Sequence, residues 1–568
     1  MRYSELAAVY EKLDSTTKRL EKTAIVAELL KETPVEDIEE IMLLLQGRIY
    51  PAWDERQAGI ASRLMAKAIS IASGASSSEV EKEWKKTGDL GLVAESLIRK
   101  KRQSTLGSSE LTVKKVFSNI RKLSKEEGSG SVDRKLQTIA ELLTSAKPIE
   151  ARYVARTILQ DLRIGVGSGA IRDAIASAYF PEDESAKDIV QEAYDLTTDF
   201  ATVAKAAKTN GIKGLKNIKI RIGSPIKVML AQKAETIKEA FEQVCTPAEV
   251  EYKFDGFRVQ IHRDGSRISV FTRRLENVTD QFPEIVDYTK RYVKGDSYIL
   301  DAEAVGFDPK TKRYLPFQKV SQRIKRKYDI RKIAEEFPVE VNVFDVICLE
   351  GKNLINEPFH ERRRLLERII PVVERKILPA KKLISDNEKE VMEFFTESKQ
   401  KGNEGIMLKN LNAPYKPGAR VGYMLKYKQT METLDLAITG AEWGEGKRSK
   451  WLSSFDLACK KGDDFLEIGK ASTGLKEKSE EGLSFDDMTQ ALKPLIISEE
   501  GRHVKVKPEI IIEVAYEEIQ KSPTYTSGYA LRFPRVLRVR DDKSPEDAST
   551  IRMVEKLYEG QRFKNSGK

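Results

Sequence analysis

The stretch EVEYKFDGFRVQIHRDGSRISVFTRRLEN, Glu249 to Asn277, decides how this chain is read. From Glu249 to Phe254 charged and apolar residues alternate. Successive side chains of a strand point to opposite faces, so Val250, Tyr252 and Phe254 share one face and Glu251 and Lys253 the other. A carboxylate and an amine are therefore expected to project together into one cleft. Asp255-Gly256 breaks the strand, and Asp264-Gly265 offers the turn of a following hairpin. The four fixed identities of KxDGxR arise by chance in a chain this long with odds on the order of one in a hundred. Without support from elsewhere, a charged edge strand with a glycine turn would be the preferred reading.

Support comes from downstream. ILDAEAVG, Ile299 to Gly306, places Asp301 and Glu303 on one strand face with apolar residues opposite. VNVFDVICLEG, Val341 to Gly351, is a nearly continuous apolar run, hence a buried strand, and it carries Phe344 and Asp345. EGIMLK, Glu404 to Lys409, is another buried strand bounded by charge, and YMLKYK, Tyr423 to Lys428, puts Lys426 and Lys428 on one face. Buried strands ending in charges are common, so the weight lies in their combination.

Working outward, the chain has 568 residues, enough for three or four domains with cores of their own. From Met1 to about Ile220 apolar residues recur at helical spacing, as in Leu6, Val9, Tyr10 and Leu13. Breakers divide that region: Gly74, Gly128, Gly130, Pro148 and the run RIGVGSG from Arg163 to Gly169. The expectation is an all-helical domain of about ten short helices over 1–220. GSPIKVMLA, Gly223 to Ala231, reads as an extended lead-in to a mixed α/β domain over 221–429. Beyond it, LDLAITG, SFDLACK, FLEIGK and EIIIEVAY are short strands between charged turns, which suggests a small β-barrel over 430–568 with a closing helix.

Composition narrows the class without choosing the function. Lys and Arg total 98 against 88 Asp and Glu, a formal charge of +10, which suits phosphate backbones and equally suits plain solubility. Hydrophobic residues are 40% and charged residues 33%, a folded composition. Cys245, Cys348 and Cys459 lie far apart and are too few for a four-thiolate zinc site or a disulfide framework, so a reducing cytoplasm is expected. The first residues lack the uninterrupted apolar core of a signal peptide, and no stretch approaches a membrane span.

Taken in order, KFDGFR (Lys253 to Arg258), TRRLE (Thr272 to Glu276), DAEAV (Asp301 to Val305), VFDV (Val343 to Val346), EGIMLK and MLKYK form a series. The chain resembles the ATP-dependent DNA ligases, most closely their archaeal replicative type, within the nucleotidyltransferase superfamily shared with mRNA capping enzymes and RNA ligases. LRFPRVLRVRDDKSPEDA, Leu531 to Ala548, resembles the last family motif, and the likeness extends over the whole chain. It implies a helical DNA-binding domain, an adenylation domain and an OB-fold domain, with ATP and Mg²⁺ as cofactors. Lys253 would attack the α-phosphate of ATP to form a lysyl-AMP; AMP would pass to the 5′-phosphate at a nick, and the 3′-hydroxyl would displace it.

An amine nucleophile must be neutral. A lysine of ordinary pKa is uncharged about one time in a thousand near neutral pH, a handicap of roughly 4 kcal/mol. Burial, neighbouring cations such as Lys426 and Lys428, and bound Mg²⁺ would each favour the neutral form. By the resemblance, Glu303 and Glu404 are the Mg²⁺ carboxylates, hard oxygen ligands for a hard ion. Arg258 and Arg273 hold ribose or phosphate, Phe344 stacks on adenine, Glu251 helps position the nucleotide, and Arg420 and Lys426 contact the phosphates. Arg532 and Arg535 could orient pyrophosphate once the C-terminal domain closes over the nucleotide about KQTMETLD, Lys428 to Asp435, the candidate hinge. A structural strand-end carboxylate is the equal alternative for Asp345.

The expected substrate is nicked double-stranded DNA, bound through phosphate contacts and duplex shape. RIGVGSG, Arg163 to Gly169, would break two helices and offer backbone amides and an arginine to a phosphate. No strand precedes it, which argues against a dinucleotide fold. KVSQRIKRK, Lys319 to Lys327, reads as a second basic face. RKKRQSTLG, Arg99 to Gly107, lies where relatives carry a sliding-clamp motif, but the paired aromatics are missing after Gln103, and a plain basic loop is the equal alternative. His262, His360 and His503 read as structural. A monomer, associated with the nucleoid in the cytoplasm and with no membrane contact, is expected. The rival classes are a capping guanylyltransferase or RNA ligase, neither of which explains the large helical domain, and a catalytically dead DNA-binding scaffold, which intact Lys253, Glu303 and Lys426 oppose.

Overall fold

A computed structural model describes residues 1–54, 56, 58–100, 110–315, 317–324, 326, 328–428, 433–445, 448–477 and 483–563. Among these, twelve helices run from α1 (Tyr3–Asp14) to α12 (Phe200–Lys216), rather than about ten. One boundary shows why the sequence undercounts them. α11 (Ala186–Thr197) ends on Thr198, a non-glycine residue at φ +52°, and Asp199 accepts from the Ala201 amide to start α12, so no glycine or proline marks the break. The helices enclose one core that includes Tyr3, Leu44, Val93, Phe117, Ile139, Val154, Ile175 and Phe200. α9 (Pro148–Ile158) and α10 (Ser168–Tyr179) flank the loop that holds Arg163 to Gly167, Ser168 and Gly169 open α10, and Lys22 of α2 (Arg19–Glu32) donates to the Ile164 carbonyl.

Next come β1 (Leu230–Lys233), α13 (Ile237–Val244), β2 (Ala248–Lys253), β3 (Phe257–Asp264), β4 (Arg267–Thr272), α14 (Pro283–Tyr292), β5 (Ser297–Gly306), α15 (Phe317–Ser321), α16 (Ile330–Glu336), β6 (Val339–Leu349), β7 (Lys352–Asn353), α17 (Phe359–Ile369), β8 (Ile377–Pro379), β9 (Lys382–Ser385), α18 (Glu388–Gln400), β10 (Gly405–Asn410) and β11 (Arg420–Lys428). They build two sheets, one in the order β1-β11-β10-β2-β9, the other β4-β3-β5-β6-β7 with β8 parallel to β6. The second sheet buries Val259, Ile261, Leu300, Ala302, Val341 and Val343 with Leu366 of α17. β3 runs through Asp264, so the hairpin turn is Gly265-Ser266, with Gly265 at φ +58°.

The C-terminal part holds β12 (Leu434–Trp443), β13 (Leu452–Lys461), β14 (Asp464–Ala471), α19 (Phe485–Leu492), β15 (Ile496–Glu500), β16 (His503–Val506), β17 (Ile511–Ala515), β18 (Glu518–Lys521), β19 (Tyr529–Arg532), β20 (Arg535–Val539) and α20 (Ile551–Phe563). Seven strands form one sheet, β14-β13-β12-β16-β15 with β17 pairing both β12 and β20, and β18 pairs with β19. Leu436, Ile438, Phe455, Ile468, Val514 and Val554 share its core.

Packing divides the chain into two compact units. The first comprises Met1–Glu251, Asp255–Asp386 and Leu408–Leu425; the second comprises Tyr252–Phe254, Asn387–Met407 and Lys426–Lys568. The core of the candidate hinge, 429–432, and most of the clamp segment, 101–109, lie outside the described residues. The basic face read over Lys319 to Lys327 needs correction at Arg323. That side chain is 1% exposed and donates to Glu284, to the Phe337 carbonyl and to the Gln281 carbonyl. The turn after α15 carries it inward, which a run of charge in a sequence does not disclose. Among the described residues no helix is long and apolar enough to cross a membrane.

Candidate active site

Lys253 is the last residue of β2, and the amide of Glu404 donates to its carbonyl at 2.8 Å. That backbone bond sets the two side chains beside each other, and Lys253 Nζ donates to Glu404 Oε2 at 2.5 Å. The side chains are 20% and 28% exposed, so water reaches the pair without surrounding it. Burial works against the charge of Glu404, but the Lys253 ammonium, with Lys428 and Arg532 beyond it, holds the carboxyl below the usual carboxylate range. Lys428 pairs with Glu517 at 2.6 Å and Arg532 with Glu518 at 3.3 Å. All of these groups belong to the second unit. Of the cations the sequence leads one to expect near the lysine, Lys428 acts on the same carboxylate, and the direct partner of Lys253 is Glu404.

The bend after Lys253 depends on Gly256. A Cβ there would lie 2.4 Å from the Ala304 carbonyl oxygen and 2.9 Å from Glu303 Cγ. The missing side chain lets the bend lie against β5, where Glu303, half-buried, stands opposite Arg258 in the β3–β5 register.

In the first unit Arg258 makes a two-pronged ion pair with Asp301, Nε to Oδ1 at 2.8 Å and Nη2 to Oδ2 at 2.6 Å, and donates to the Met229 carbonyl at 2.6 Å. Tyr415 donates to the same carboxylate at 2.8 Å. Burial opposes the guanidinium charge, yet Asp301 more than offsets it and raises the Arg258 pKa; burial, then Asp301, lifts the Tyr415 phenol well above its ordinary value. Arg258 stands 5.2 Å from the half-buried Phe344 ring and Lys409 stands 4.9 Å from it. Phe344, Arg258, Lys409, Tyr415 and Tyr423 line a pocket. Glu251, buried, is held by Lys409 at 2.5 Å and Arg363 at 3.4 Å. Asp345, whose role the sequence leaves open, makes a buried two-pronged pair with Arg362 at 2.8 and 2.9 Å.

Arg273 is exposed just beyond β4, Arg420 is exposed and donates to the Ala231 carbonyl at 3.3 Å, and Lys426 is half-buried on β11. Arg535 is exposed at the start of β20. In the loop between α9 and α10, Arg163 pairs with Asp161 at 2.7 Å and lies 3.6 Å from Asp89. His262 is buried, pushed down to about 3 by burial, and accepts from the Gly223 amide at 3.1 Å. Sequence reasoning missed Tyr415, Lys409, Arg362 and Arg363 as site residues. The two arginines sit in FHERRRLLERI, which reads as a solvated charge run, and Tyr415 sits in a loop without periodicity.

Three family models match successive parts of the chain: "DNA ligase N terminus" over residues 2–176, "ATP dependent DNA ligase domain" over 228–428 and "ATP dependent DNA ligase C terminal region" over 448–543. A "DNA ligase" of Nanoarchaeum equitans (strain Kin4-M) is 48% identical over 566 residues, 99% of each chain. The chain belongs to the ATP-dependent DNA ligases. A "DNA ligase" of Archaeoglobus fulgidus is 44% identical to the ligase over 561 residues, 98% of each chain. A solved structure described as "Pmar-Lig_Pre." covers 94% of the ligase and 99% of its own chain with a TM-score of 0.52 at 16% identity, and so shares its fold. The helical, adenylation and C-terminal β regions are those of this family, and the ligase seals nicks in DNA with ATP.

ATP-dependent ligases work with a divalent metal, usually Mg²⁺. Among the described residues no group of three or more His, Cys, Asp or Glu side chains could hold a metal ion. Mg²⁺ is bound through one or two carboxylates together with substrate phosphates and water, so a protein cage is not required. Glu404, directly before β10, and Glu303, on β5, each offer one hard carboxylate, and this donor chemistry fits the ion.

Proposed function

We propose that Lys253 is the nucleophile that takes AMP from ATP, and that the residues around it divide the work of holding and transferring that AMP. What supports the reading is the 2.5 Å pair of Lys253 with Glu404 at the end of the KxDGxR strand. The ammonium must give up a proton and leave Glu404 before it can attack phosphorus. Glu303 and Glu404 would hold Mg²⁺, which when bound neutralises charge on the transferring phosphate oxygens. Phe344 stacks on adenine in the pocket bounded by Arg258 and Lys409, while Glu251, fixed by Lys409 and Arg363, positions the nucleotide. Arg258, anchored by Asp301, and Arg273 hold ribose or phosphate; Arg420 and Lys426 meet the phosphates, and Arg532 and Arg535 orient pyrophosphate.

The proposed division is a DNA-binding domain over 1–220, an adenylation domain over 221–429 and an OB-fold domain over 430–568. The α9–α10 loop grips phosphates of the nicked duplex, with affinity that falls steeply with salt. The ligase acts as a monomer, associated with the nucleoid in the cytoplasm, and a sliding clamp is a candidate partner through residues 99–107. The deciding experiment compares wild type with Lys253→Ala on a nicked duplex: the variant should bind the nick and fail to seal it with ATP. Sealing at the wild-type rate would contradict the assignment.

A further inference from the structure

β2 carries a second carboxylate, Glu249, on the same face as Glu251, and no step proposed above uses it. Its side chain is 1% exposed; Oε1 lies 3.5 Å from Arg363 Nε and Oε2 lies 3.9 Å from Lys382 Nζ. Oε1 is buried without a hydrogen-bond partner. Two residues on, Glu251 takes Arg363 Nη1 at 3.4 Å and Lys409 Nζ at 2.5 Å. Arg363 is 2% exposed and also donates to the Ala380 and Val343 carbonyls and to Glu367 at 3.1 Å. The charged groups around Glu249 are therefore Glu251 on its own strand, Arg363 and Glu367 on α17, Lys382 on β9 and Lys409 on β10.

Two buried carboxylates share one guanidinium: Arg363 donates to Glu251 from Nη1 at 3.4 Å, while its Nε stands 3.5 Å from Glu249 without a hydrogen bond. Glu251 has a close second cation, while Glu249 has only long contacts. Burial, and then the charge of Glu251, pushes the Glu249 carboxyl up from its ordinary value.

We propose that Glu249 is a positioning residue for Glu251: holding its proton, it leaves Arg363 to Glu251 and keeps that carboxylate oriented for the nucleotide; losing the proton to solvent, it draws Arg363 to itself and loosens ATP. This rests on the reading of Glu251 as a nucleotide-positioning group. Neither carboxylate needs to touch phosphate for the effect. Glu249 acts only through the guanidinium the two share.

The test is the KM for ATP in self-adenylation of the full chain, with kcat followed separately, from about pH 7 to about pH 9. The wild-type KM should rise by about fivefold over that range, the loss of roughly one kcal/mol of binding expected when a buried charged contact weakens. Glu249→Gln, a neutral isostere, should give a KM that stays flat, and Glu249→Leu should do the same if Gln packs poorly. A Glu249→Gln KM that rises with pH as in wild type overturns the proposal, as does a change confined to kcat or thermal stability. Glu251→Gln separates the two readings. If it leaves the KM for ATP unchanged at every pH, the nucleotide role of Glu251 falls and takes this use of Glu249 with it. If it raises the KM while Glu249→Gln keeps the wild-type pH dependence, the Glu249 inference alone is wrong.

Discussion

Lys253 Nζ and Glu404 Oε2 lie 2.5 Å apart, an ion pair between the residue that ends β2 and the residue that precedes β10. The pair has a pH signature. The Glu404 carboxyl is held below its unfolded value, so its contribution to stability is present above about pH 4.3 and is lost as pH falls through the lowered folded value. Glu404→Gln should therefore be less stable than wild type by about 1 kcal/mol at neutral pH, with the gap closing in acid. Denaturant unfolding at the two pH values checks this; a gap of equal size in acid would place the loss in packing instead of charge.

Gly256 is expected to tolerate no side chain. Its φ is not left-handed, so the obstacle is space: a Cβ would meet the Ala304 carbonyl oxygen at 2.4 Å and Glu303 Cγ at 2.9 Å. Gly256→Ala should push the bend off β5 and slow self-adenylation by more than about tenfold, since small displacements at a reacting group cost that much. Circular dichroism should show the fold retained.

Arg258 and Asp301 form a buried pair that Tyr415 completes. Asp301→Ala strands a guanidinium in a poorly solvated place and should cost about 3 kcal/mol. Tyr415→Phe removes one hydrogen bond and should cost about 1 kcal/mol. Equal losses from the two variants in denaturant unfolding would contradict this ranking.

His262 tests the interior of the β3 sheet. Burial pushes it down to about 3, and its Nδ1 accepts from the Gly223 amide, so the folded chain keeps it neutral where the unfolded chain protonates it. The unfolded state binds the extra proton between about pH 6.5 and about pH 3, so stability is lost as pH is lowered through that window. His262→Gln should flatten this part of the stability profile; an unchanged slope would mean that the ring is protonated in the fold.

Period and face made much of this protein legible in its sequence. Alternation in Glu249 to Phe254 located β2, and the apolar run around Phe344 located a buried strand; that the charged face of β2 is buried too, with Glu249 and Glu251 beside Arg363, the alternation did not disclose. What stayed hidden depends on contacts between residues far apart in the chain. Nothing near Asp301 announces Tyr415, 114 residues away, as the group that shares its carboxylate. Arg323, Arg362 and Arg363 look solvated in their charge runs, yet each is buried against carboxylates supplied by other elements. The extra helix boundary at Thr198 escaped for a local reason: a threonine there adopts the left-handed conformation that a glycine would have advertised.

The central claim is that Lys253 carries the AMP. The ligase should be incubated with ATP labelled at the α-phosphate, digested, and the labelled peptide sequenced. The account predicts one adduct, on the peptide containing Lys253, and no label in the Lys253→Ala chain. Label on another lysine, or undiminished labelling of Lys253→Ala, would contradict it.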